Sequence, residues 1–133
     1  MPSKKPIYKK EYEHVDHYAE SIWMGNDKPF METDYTVVFN DRYPCVKGHT
    51  LFVPKKRSAE YIGKSYALAY DYGQKKIEKG EMTGFNVGMN MGIDAGQTIM
   101  WPHIHFIPRH KNDADKIGGM RHAHPGADHT RYY

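Results

Sequence analysis

Gly96-Gln-Thr-Ile-Met-Trp-Pro-His-Ile-His-Phe-Ile-Pro-Arg109 is the stretch that decides the fold. It holds two histidines one residue apart at the start of a short apolar run. Alternate side chains of a β-strand point to the same face. His103, His105 and Ile107 therefore share one face, while Ile104 and Phe106 share the other and can enter a core. Two imidazoles side by side at a surface suit three tasks: holding a metal, moving protons, or attacking phosphorus. This stretch alone leaves all three open.

Working outward, Phe85 to Met91 alternates cleanly and predicts a neighbouring strand. Phe85, Val87, Met89 and Met91 face one way, and Asn86, Gly88 and Asn90 the other. Glycine on that polar face lets a ligand approach the backbone. Tyr35 to Asn40 and His49 to Val53 are rich in β-branched and aromatic residues and predict two strands. Between them Asp41-Arg42-Tyr43-Pro44 turns the chain, which suggests antiparallel pairing.

Two stripes predict helices. Ser58 to Lys79 carries Ile62, Tyr66, Ala69, Gly73 and Ile77 at spacings of four, three, four and four. Gly63 and Gly73 weaken it and Gly80 ends it. Tyr61, Tyr66, Tyr70 and Tyr72 on this helix are read as core or interface. Glu11 to Met24 carries Tyr12, Val15, Tyr18 and Ile22 at three, three and four, with Gly25-Asn26-Asp27 as the stop. The expected class is α+β: a small antiparallel sheet of about five strands with helices packed on one face. The other face is expected to expose small polar residues beside the two imidazoles.

The chain has 133 residues, enough for one domain, and a formal charge of +3 that suits an anionic small molecule. The expected division is a basic flexible arm over 1–10 (Lys4, Lys5, Lys9, Lys10), one domain over 11–110, and an irregular tail over 111–133. The tail's His122, His124 and His129 are read as solvent-exposed. Cys45 is the only cysteine, so neither an intrachain disulfide nor a cysteine-based zinc cluster can form. No apolar run approaches membrane-span length and no hydrophobic signal core follows the lysines. A soluble, cytoplasmic protein with no membrane partner is expected.

Several blocks occur together in one order: Asn40-Asp-Arg-Tyr-Pro, Gly48-His-Thr-Leu-Phe-Val-Pro-Lys55, Gly84-Phe-Asn-Val-Gly-Met-Asn90, Ala95-Gly-Gln-Thr98 and Pro102-His-Ile-His-Phe-Ile-Pro-Arg109. This array resembles the histidine triad (HIT) family, and most closely its bacterial dinucleoside polyphosphate hydrolase-like branch. The resemblance spans Tyr35 to Arg109, and Gly118-Gly-Met-Arg121 also looks like that branch. The family pattern is His-x-His-x-His; here Trp101 stands at its first position.

The resemblance implies a nucleotide hydrolase or nucleotidyl transferase cleaving at the α-phosphate of a dinucleoside polyphosphate or nucleoside phosphoramidate-type substrate. It makes His103 the nucleophile, forming a nucleotidyl-histidine that water then hydrolyses. His105 would contact the phosphoryl oxygens. Asn90 and Thr98 match phosphate-binding positions, Asp41 the ribose-binding position, and Phe39 would flank the base. Gly96 and Gln97 shape the turn before the histidine strand, and Gln97 is counted with the substrate-lining residues. His49 supports the triad from inside. Trp101 keeps the backbone carbonyl that orients His103 in family members, while Pro102 stiffens the approach.

No metal site is expected, since zinc-binding relatives use cysteines that this chain lacks. No cofactor is required, and magnesium is expected only as the companion of a polyphosphate substrate. The expected partners are a nucleotide or dinucleotide and a second copy of the chain, in a symmetric dimer that extends the sheet. Nucleic acid is not expected. The alternative from another class is a nucleotide-binding module that kept its pocket and lost turnover through Trp101.

Overall fold

The computed structural model describes residues 14–23, 28–114 and 118–126. Its centre is a five-stranded antiparallel sheet in the order β1-β2-β3-β5-β4. The strands are β1 (Met31–Glu32), β2 (Thr36–Asn40), β3 (Thr50–Pro54), β4 (Gly84–Gly88) and β5 (Ile104–Arg109). One helix, α1 (Ala59–Glu78), packs against it.

The helix begins where its sequence provides a cap. The Ser58 hydroxyl accepts a hydrogen bond from the Tyr61 amide, satisfying one of the first-turn donors. Ala69 and Gly73 are buried at the helix–sheet contact, with Ile62, Tyr66 and Ile77 packed around them. Gly73 is there because nothing larger fits: a Cβ would meet the Phe85 ring and lie 2.8 Å from Phe106. Ser65 joins helix to sheet, its hydroxyl donating to Tyr61 O and lying 2.6 Å from Thr36 Oγ1. Tyr72 fills the same layer, edge-on to Phe52 and Phe106, whereas Tyr70 is exposed.

Three expectations are corrected. No helix forms over the described part of the predicted 11–24 segment, which contains only a 3-10 turn at Tyr18–Glu20; residues 11–13 and 24 lie outside the described residues. Its apolar residues are nonetheless used, for Val15, Tyr18 and Ile22 pack on the sheet beside Trp23. A short helix is marginal without packing, and here an irregular strand of chain makes those contacts directly.

In consequence one helix, not several, covers the α1 face. The opposite face is also covered: Val37, Phe39, Leu51 and Val53 are buried there under Trp23, Ile99 and Trp101. Finally, β4 stops at Gly88, opposite His105, and Asn90 and Met91 are exposed. Its partner β5 starts at Ile104, preceded by Pro102, which has no N–H to continue the ladder.

No helix among the described residues is long and apolar enough to cross a membrane.

Candidate active site

Register places the chemistry. Phe39 pairs with Leu51, Leu51 with His105, and His105 with Gly88, forming one row across four strands on the face away from α1. His103 sits one step before β5 and turns the same way. Its ring centroid is 5.0 Å from that of His105, with the planes 61° apart.

Backbone partners assign the protons. His103 Nδ1 lies 2.9 Å from the Trp101 carbonyl oxygen. A carbonyl only accepts, so Nδ1 carries the hydrogen and the lone pair of the neutral ring is on Nε2. The same reasoning fixes His49, whose Nδ1 accepts the Cys45 amide at 3.1 Å. Its proton is therefore on Nε2, 2.9 Å from His105 Nδ1 and 3.3 Å from Asp41 Oδ2. His105 then accepts at Nδ1 and carries its own proton on Nε2. Burial pushes the pKa of His49 down, with the Asp41 charge opposing part of that shift.

Asp41 is held by both oxygens. Oδ1 accepts the Tyr43 amide at 2.8 Å, closing the turn after β2, and Oδ2 faces the two histidines. Asp41, His49 and His105 offer ligand atoms all within 4.8 Å of one another, a spacing a metal ion would accept. The proton pattern opposes it. A metal at His49 Nε2 must displace that proton, and Nδ1 cannot take it while the Cys45 amide points there. The trio reads as a hydrogen-bonded support for His105.

Trp101 is a core residue, 1 % exposed. Its indole N–H donates to Pro54 O at 2.9 Å, the Arg57 guanidinium lies 5.0 Å from its ring, and Tyr18 packs edge-on. Gln97 is similarly engaged in shaping its turn: Oε1 accepts the Gly92 amide and Nε2 donates to Ile99 O. Thr98 is half-buried and Asn90 exposed. Phe39 is buried against Trp23, with centroids 6.5 Å apart and planes at 24°. Trp23 also lies over His103 at 5.0 Å, leaving the imidazole 6 % exposed.

The HIT domain profile matches residues 25–112 of the chain. The chain belongs to the HIT family. It is 30 % identical over 96 residues to a 16.1 kDa HIT-like protein of Mycoplasma pneumoniae, covering 65 % of this chain and 67 % of that one. It is 31 % identical over 91 residues to the asymmetrical bis(5'-nucleosyl)-tetraphosphatase of Schizosaccharomyces pombe, over 63 % of this chain and half (50 %) of that enzyme. Among solved structures it resembles Plasmodium falciparum diadenosine triphosphate hydrolase, with 25 % identity and a TM-score of 0.61 over 80 % of this chain and 78 % of that one. This HIT chain thus shares its domain with nucleotide hydrolases.

Sequence reasoning missed Trp23, the Cys45 amide and Arg57. Trp23 could have been noticed because it falls off the apolar stripe assigned to that segment. The Cys45 amide has no side-chain signal at all. Arg109 was read only as the end of a motif, yet its guanidinium donates to Asn86 Oδ1 and Gly118 O and pairs with Asp113. That arrangement folds the tail back over β4, where Met120 packs at Gly88. His122 and His124 are exposed in this tail, and His129 lies outside the described residues.

Proposed function

We propose that this HIT protein is a nucleotide hydrolase or nucleotidyl transferase acting at an α-phosphate through a covalent nucleotidyl-His103. The single observation that carries the reading is the 2.9 Å bond between His103 Nδ1 and the Trp101 carbonyl. It directs the ring's lone pair to Nε2 and stabilises the positive charge the imidazole gains on bonding to phosphorus. His105 Nε2–H would donate to a phosphoryl oxygen, and donors aimed at developing charge commonly contribute about 3 kcal/mol. Thr98 and Asn90 would add further donors, Asp41 would accept from ribose hydroxyls, and Phe39 would flank the base. For that, Trp23 must shift off Phe39 and His103. Magnesium would enter only with a polyphosphate substrate.

Rapid quench with a dinucleoside polyphosphate labelled at the α-phosphate tests this. Label bound to wild-type protein, acid-labile and absent from His103→Ala, is the expected result. The second reading, a binding module without turnover, is favoured by one observation: Trp23 covers the nucleophile and leaves it 6 % exposed. Tight nucleotide binding with no intermediate and no product would establish that reading instead. We also propose a symmetric dimer joined through the sheet, since β4 is an edge strand among the described residues. Sedimentation showing only monomer at about micromolar concentration would refute the dimer.

A further inference from the structure

Resting on the proposed nucleotidyl transfer, we infer that Met120 contacts the leaving group and selects nucleotides whose α-phosphate carries an organic group with an apolar or aromatic body. The sheet sets the order of subsites. Phe39, Leu51, His105 and Gly88 form one row across β2, β3, β5 and β4. With the base at Phe39 and the α-phosphate at His105, the next position in the row is Gly88. A leaving group that extends away from the nucleoside passes over the end of β4.

Gly88 has no side chain to meet it, and Met120 takes that place. Directly paired residues of an antiparallel sheet project to the same face, with Cβ positions about 5 Å apart. A Cβ built on Gly88 would lie 2.8 Å from Met120 Cε and 3.5 Å from Met120 Sδ. The thioether end of Met120 thus stands beside His105 on the histidine face, in space that a side chain at position 88 would fill. Met89, one residue on, packs in the opposite, helix-covered layer.

Hydrogen bonds hold the tail in this position. Arg109 shares the face of His105 by strand alternation, and its guanidinium donates to Asn86 Oδ1 at 2.9 Å and to Gly118 O at 2.7 Å. Asp113 accepts from the same guanidinium at 3.0 Å. The chain is therefore tied to the sheet two residues before Met120, where the 3-10 turn Met120–Ala123 starts. Met120 still leaves 57 % of its surface to solvent, so it is placed by the fold without being consumed in the core. An unbranched, polarisable thioether adapts to apolar shapes and makes favourable contacts with aromatic rings. It has no hydrogen to donate to a polyphosphate chain.

Met120 takes no part in bond making. The His103 Nε2 lone pair forms the N–P bond while the bond from phosphorus to the organic oxygen breaks, its electron pair leaving with that oxygen. From an aryl ester the product is a phenolate, which takes a proton from solvent. Water then bonds to phosphorus, the P–N pair returns to Nε2, and the water proton goes to solvent.

The phenyl and 2-naphthyl esters of AMP test this, since their phenols are close in acidity and differ chiefly in apolar area. Wild-type protein should favour the naphthyl ester in kcat/KM by about tenfold. That ratio should fall toward unity in Met120→Ala and in Gly88→Ala, whose added methyl displaces the thioether. Met120→Leu, apolar and of similar volume, should keep the preference. The ratio, unlike either rate alone, is insensitive to a general loss of stability or activity. A wild-type ratio near unity, or one that Met120→Ala leaves unchanged, would overturn the inference while the nucleotidyl-histidine stands. Failure of the wild type to form a nucleotidyl-protein from either ester would overturn the proposed function, and this inference with it.

Discussion

The Trp23 ring lies 5.0 Å from the His103 imidazole, centroid to centroid, and 6.5 Å from Phe39. One side chain from the N-terminal segment therefore covers both His103 and Phe39. Trp23→Ala should uncover His103. Carbethoxylation of His103 by diethylpyrocarbonate, followed by peptide mapping, is expected to speed up several-fold, while loss of a buried indole lowers stability by about 3 kcal/mol. An unchanged modification rate would show that Trp23 does not control access.

Trp101→Phe keeps the backbone carbonyl that orients His103 but removes the indole N–H. Pro54 O then loses a buried donor, which costs about 1–2 kcal/mol. Urea unfolding should report that loss, while the nucleotidyl intermediate still forms. Disappearance of the intermediate in a folded variant would give the indole a part in the chemistry.

Gly73→Ala should destabilise the protein although alanine is the better helix former by about 1 kcal/mol. The added methyl meets Phe85 and Phe106, whose stacked rings lie 5.1 Å apart in the core. Overpacking of this kind costs about 1–3 kcal/mol, so the net change is a loss. Gly63→Ala is the control, since nothing lies within 4 Å of its Cβ position. It should stabilise the helix, and thermal melts of the two variants separate the effects.

Stability should fall as the solution is acidified below pH 6.5, the ordinary histidine value. Burial lowers the folded-state pKa of His49, so below that pH the unfolded chain takes up a proton that the folded chain does not. The stabilisation is complete above the unfolded value and is lost as pH falls to the folded one. His49→Asn should flatten the slope of urea midpoint against pH in this window. A slope identical to wild type would assign the effect elsewhere.

Local patterns were readable where the residues that make an element also make its contacts. The alternation of Ile104 to Phe106 around His105 and the apolar stripe of Ser58 to Lys79 are of that kind, and both elements formed within a residue or two of their expected bounds. The stripe of Val15, Tyr18 and Ile22 correctly marked burial but not conformation. A spacing of three serves a 3-10 turn or an irregular crossing as well as a helix. The polar face of Asn86, Gly88 and Asn90 likewise misled in part, because Arg109 binds Asn86 and the tail packs at Gly88.

By itself the sequence determined the strand carrying His103 and His105, the helix behind it and the family, because those depend on neighbours within a few residues and on ordered motifs. Only the tertiary structure decided that Trp23 covers His103, that the Trp101 indole turns to Pro54, and that the Cys45 amide sets the protons of His49 and His105. Hydrogen-bond partners choose tautomers, and packing chooses exposure. Both are fixed by groups that the fold brings together from distant parts of the chain, or by backbone atoms that every residue shares.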